Sequence, residues 1–200
     1  LREIFSESAL MRYRVITEIT WLQYLSDCDE LNQIPSMTSQ MKDAITKIHL
    51  DFSLEDARKI KEIESKINHD VKAVEYFLKE KIENIEGGEN YTSFIHFACT
   101  SEDINNISYA LMLKDGVSET TKSIERLTKT LKEQSHSWAN DSMLSRTHGQ
   151  PASPTTMGKE FANFLSRLDR QLDLLNDSQF LAKMNGAVGN YNAHIIAYPG

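Results

Sequence analysis

Two hundred residues, 40% of them apolar, suffice to bury a sizeable core, and 29 acidic against 22 basic side chains leave a formal charge of −7. That balance, with no cluster of lysines and arginines, argues against nucleic acid and an anionic membrane surface as partners. No run approaches the roughly 18 apolar residues of a membrane span, and the N-terminus lacks a secretory pattern, so the chain reads as cytoplasmic.

In chain order, Val15, Ile19, Leu22 and Leu25 fall on one stripe of a helix that begins near Ser6, and Asn32 to Pro35 is expected to end it. Ser53-Leu54-Glu55-Asp56 has the form of a capping box, so a helix should start at about Leu54. Val71, Val74, Leu78, Ile82 and Ile85 mark another helix, stopped by Gly87-Gly88. Val117, Ile124, Leu131 and Trp138 lie seven apart, with Leu127 between, and predict a long bundle helix. Met157, Phe161, Phe164, Leu168, Leu172 and Leu175 predict a second one after Pro154. A short Gly/Pro-containing connection implies that the two are antiparallel, with their Met and aromatic stripes serving as core. Strands are scarce, and Cys28 and Cys99 lack any metal-ligand or disulfide spacing, which leaves them as ordinary thiols.

Three polar segments interrupt the helices: 67–72, 94–106 and 144–154. A fourth, Asn185 to Asn190, is small enough for close backbone approach. His148, between Thr147 and Gly149-Gln150, can exist in both proton forms near neutral pH, as a general acid requires, although a loop histidine has an ordinary structural reading too. Thr100-Ser101 precedes an acidic first turn; Ser101 resembles an N-cap, and hydroxyls beside helix-start N–H groups also suit an anionic ligand. Asn68-His69-Asp70 offers an amide, an imidazole and a carboxylate. The three can reach one ligand only from a non-helical turn, and the Asp is equally a capping choice.

The motifs Thr100-Ser101-Glu102-Asp103-Ile104-Asn105, Thr147-His148-Gly149-Gln150-Pro151-Ala152 and Gly186-Ala187-Val188-Gly189-Asn190-Tyr191-Asn192 are long and ordered. With Asn68-His69-Asp70-Val71-Lys72-Ala73-Val74-Glu75-Tyr76, they resemble the adenylosuccinate lyases of the fumarase/aspartase superfamily, in their bacterial form. The resemblance covers essentially the whole chain. It implies an all-α fold, with a small N-terminal helical domain over residues 1–98 and the opening part of a long-helix bundle over 99–200. It also implies β-elimination of fumarate, from adenylosuccinate to give AMP and from succinylaminoimidazole carboxamide ribotide to give aminoimidazole carboxamide ribotide, both steps of purine nucleotide biosynthesis.

In the family His148 would be the catalytic acid, and Asn68, His69, Asp70, Thr100 and Ser101 would bind the nucleotide substrate. No metal or organic cofactor is implied. The partners expected are the small-molecule nucleotide and other copies of the chain, as a homotetramer whose sites are shared between subunits. The family's basic serine falls downstream of Gly200 and an Arg-Tyr pair upstream of Leu1, so the sequence reads as an N-terminal fragment, inactive alone. The competing readings are a sister enzyme, argininosuccinate lyase or fumarase, which Asn68 to Glu75 disfavour, and a non-catalytic helical assembly module.

Overall fold

Ser6 opens the first long helix as expected. In the computed structural model, which describes residues 1–199, a short turn α1 (Arg2–Phe5) leads to α2 (Glu7–Ser26), whose first-turn Ala9 N–H donates to the Ser6 hydroxyl at 3.2 Å. The four residues of its predicted stripe are buried. The helix stops at Ser26, short of Asn32, because Asp27 and Asp29 put negative charge at the carbonyl end, where the helix dipole opposes it.

Thr38 caps α3 (Ser39–Leu50). The capping box before α4 (Leu54–Ile67) forms in both directions: Asp56 N donates to Ser53 Oγ at 3.2 Å and Ser53 N to Asp56 Oδ2 at 2.9 Å. Then comes α5 (Asp70–Glu83), after which Gly88–Asn90 and Thr92–Phe94 form single 3-10 turns. The core lies where these helices meet, built from Val15, Ile19 and Leu22 of α2, Ile45 of α3, Ile60 of α4, and Val74, Phe77, Leu78 and Ile82 of α5. The other side of α2 covers a second cluster of Ile4, Ala9, Tyr13 and Met112.

The remaining elements are α6 (Ser101–Ser137), β1 (Ser142–Thr147), β2 (Gln150–Thr156), α7 (Met157–Asn176) and α8 (Asn192–Ala197). The chain forms two compact units, one of Leu1–Leu113 with the segment from Phe180 onward, the other Lys114–Gln179. In the second unit the last part of α6 runs antiparallel to α7: Trp138 meets Phe161 with ring centroids 5.1 Å apart, and Thr121 Oγ1 donates to Asn176 Oδ1 at 3.3 Å. Gly158 N donates to Trp138 O at 2.8 Å, and a Cβ on Gly158 would stand 2.3 Å from Ser135 O, so only glycine permits this approach.

Two expectations are corrected here. The stretch 144–154, read as a loop, pairs as an antiparallel hairpin with Met143 opposite Thr155 and Thr147 opposite Gln150. Pro151 and Pro154 are tolerated because each strand of a two-stranded ribbon has a free edge. The stripes of the long helices are not core within this chain: Phe164 is 59% and Leu127 49% exposed, since two helices can cover only the stripes that face each other. With this one hairpin added, the all-α class expected from the sequence holds.

Candidate active site

The Asn-His-Asp turn is non-helical, as joint use of its side chains requires. Asn68 ends α4 in the left-handed region (φ 55°), His69 is extended, and Asp70 starts α5. His69 Nδ1 accepts from Lys72 N at 3.0 Å and so caps the helix, leaving Nε2 as the donor of the neutral ring. Asn68 and His69 are exposed, and with Asp70 they line an open hollow of about 500 Å³ that Lys61 and Glu64 also border. The Asn68 amide makes no hydrogen bond among the described residues.

Asp70 is already engaged. Its Oδ2 accepts from Arg14 Nη2 at 2.6 Å, while Arg14 Nε donates to Asn105 Oδ1 at 2.9 Å. Arg14 is 5% exposed, so its two partners satisfy a charge that would otherwise be buried at high cost. Burial works to raise the Asp70 carboxyl, yet the Arg14 charge and the hydrogen bonds outweigh it and hold the group below the usual carboxylate range. Through this one guanidinium the Asn68–Asp70 turn is joined to the start of α6.

At that start the helix begins at Ser101, so Thr100, and not Ser101, occupies the capping position. Asp103 takes over the polar work: Thr100 N donates to its Oδ2 at 2.8 Å. The Thr100 and Ser101 hydroxyls, both half-buried, have no hydrogen-bond partner among the described residues. Uncommitted donors of this kind, next to a helix N-terminus, can serve an anionic ligand.

His148 belongs to the second unit, whereas the other five candidates belong to the first. With Gly149 it makes the two-residue turn between β1 and β2. Both residues have positive φ (50° and 74°), which matches the primed turn that twisted hairpins favour. The imidazole is exposed and free to meet a ligand. An apolar hollow of about 640 Å³ is lined by Ile16, Trp21, Tyr24, Leu111, Tyr191 and His194 and contains none of the six candidate site residues.

The family model described as Lyase matches residues 1–199. The chain belongs to this lyase family. The adenylosuccinate lyases of Haemophilus influenzae and Escherichia coli are each 50% identical to it, over 204 and 200 residues, covering 100% of this chain and 44% of theirs. The chain thus spans less than half the length of these curated relatives. Among solved structures, a fumarate lyase from Mesorhizobium sp. BNC1 matches with a TM-score of 0.76 at 22% identity, over 96% of this chain and 43% of that one. A β-carboxy-cis,cis-muconate cycloisomerase from Acinetobacter calcoaceticus matches at 0.75 and 21%, over 96% and 44%. These two likenesses speak for the fold.

Within this lyase fold the structure adds polar residues that sequence reasoning passed over. Arg14 and Glu18 lie one turn apart on α2, on the buried stripe that Met11, Val15, Ile19 and Leu22 make; a charge interrupting such a stripe was the available signal. Glu18 is 1% exposed, and its Oε1 lies 2.6 Å from His96 Nδ1. His96 has positive φ (62°), and its Nε2 is 3.8 Å from Glu75 Oε1. Cys99, half-buried and free, has its thiol pushed up by burial and by the Glu18 charge.

Proposed function

We propose that this chain forms part of an adenylosuccinate lyase, which eliminates fumarate from adenylosuccinate to leave AMP and from succinylaminoimidazole carboxamide ribotide to leave aminoimidazole carboxamide ribotide. The observation that carries this reading is identity at half the positions, along the whole chain, with proteins named adenylosuccinate lyase. The free Thr100 and Ser101 hydroxyls and the free Asn68 amide support it, as donors fit for an anionic nucleotide.

In the reaction a base removes the proton beside a carboxylate, the freed electron pair becomes the double bond of fumarate, and the carbon–nitrogen bond breaks. Charge that builds on the carboxylate side is stabilised by fixed donors, the role assigned to Thr100, Ser101, Asn68 and His69. Asp70, bound to Arg14, would hold the turn in register with α6. His148 gives its proton to the departing nitrogen, and its exposed ring suits that task. The resemblance assigns the base to a serine downstream of Gly200. Assembly as a homotetramer with shared sites is part of the proposal, supported by the uncovered apolar stripe of α7. So is the cytoplasmic setting of purine biosynthesis; among the described residues no helix is long and apolar enough to cross a membrane.

The test is fumarate release from adenylosuccinate by the full-length protein. His148→Ala should lower kcat by about a hundredfold or more while leaving the fold intact; unchanged turnover would remove His148 from the role of acid, and a wild type that releases no fumarate would favour an assembly module. AMP should raise the melting temperature and arginine should not. The reverse pattern would indicate argininosuccinate lyase.

A further inference from the structure

We infer that Asp103 is a positioning residue for the nucleotide-binding surface, holding the Thr100–Ser101 entrance of α6 and the loop that starts at Lys183 as one unit; this rests on the activity proposed above. Asp103 is 0% exposed, and its carboxylate accepts from four donors. They are Thr100 N at 2.8 Å, Lys183 Nζ at 2.8 Å, Asn185 N at 3.1 Å, and Gly186 N at 3.2 Å from each oxygen. Lys183 Nζ also donates to Gly186 O at 2.5 Å. On the same side of α6, Asn106 grips the Lys183 backbone both ways: Lys183 N donates to its Oδ1 at 2.7 Å, and its Nδ2 donates to Lys183 O at 2.9 Å.

An ion pair with Lys183 alone would balance the buried charge but leave carboxylate lone pairs unmet. Backbone donors recruited from both sides do more, because they set where the loop lies relative to Thr100. Gly186 has φ 82°, which lets Asn185 and Gly186 turn successive N–H groups onto one anion. At the same helix start the Asp103 backbone N donates to Thr100 O at 3.0 Å, so the Thr100 hydroxyl is not drawn into capping and stays uncommitted among the described residues. Asp103 therefore ties the Thr100 backbone, where the uncommitted hydroxyls begin, to the Asn185–Gly186 backbone.

The experiment is steady-state kinetics of full-length Asp103→Asn with adenylosuccinate, assayed well below its melting temperature. An amide turns two N–H groups toward donors and leaves one acceptor oxygen, so the loop should shift. KM should rise about tenfold with a much smaller change in kcat. Asn106→Ala, which frees the loop from the other side, should move KM in the same direction and decides the matter if Asp103→Asn does not fold. KM within about twofold of wild type in the folded variant, whatever kcat does, overturns the inference. Wild-type protein that releases no fumarate sinks the proposed activity and this inference together, while an active wild type with unmoved variants sinks this inference alone.

Discussion

Glu18 and His96 share a proton-binding arrangement that ties stability to pH. Burial raises the Glu18 carboxyl more than His96 lowers it; burial alone would depress His96, but its hydrogen bond to Glu18 and the nearby carboxylates raise it above its ordinary 6.5. Both groups therefore hold protons more tightly folded than unfolded. The stabilisation from His96 is complete below pH 6.5 and is lost as pH rises through its raised folded value. Denaturation at pH 6 and pH 8 should show wild type losing stability over that interval, and Glu18→Gln, which removes the anion that lifts His96, losing less. Equal losses would show that the pair does not govern the slope.

At the scale of an element, the caps and close contacts are the weak points. Ser53→Ala deletes one arm of the α4 capping box and should cost about 1 kcal/mol, read as a lower denaturation midpoint at unchanged slope. Phe77 is fully buried in α5 and meets Phe52 edge-on, with centroids 6.0 Å apart. Phe77→Ala should cost about 3–5 kcal/mol, because the surrounding helices cannot close on the void. Gly158→Ala should separate the start of α7 from the end of α6, which a changed emission of Trp138 would report.

For the whole molecule, the uncovered stripe of α7 matters most. Phe164 is 59% and Met157 40% exposed, too apolar a face to leave in water on a bundle helix. Phe164→Asp in the full-length protein should preserve helical circular dichroism and reduce the assembled mass seen by sedimentation. An unchanged mass would mean that this face takes no part in assembly.

The helices were legible because their cause is local: α2, α5 and α7 announce themselves through spacings of three and four, α6 through a spacing of seven, and α4 through the capping box at Ser53. The motifs were legible as well, since residues contiguous in sequence carry them, and they sufficed to point to the lyase family. The hairpin around His148 was missed, because its turn depends on positive φ at His148-Gly149 more than on alternating hydrophobicity. What only tertiary structure decided are the long-range polar contacts: Arg14 to Asp70 across 56 positions and to Asn105 across 91, and Asp103 to Lys183 across 80. No periodicity encodes such pairs. A buried charge must find its counter-charge wherever the folded path brings one, and that path is set by the packing of whole helices.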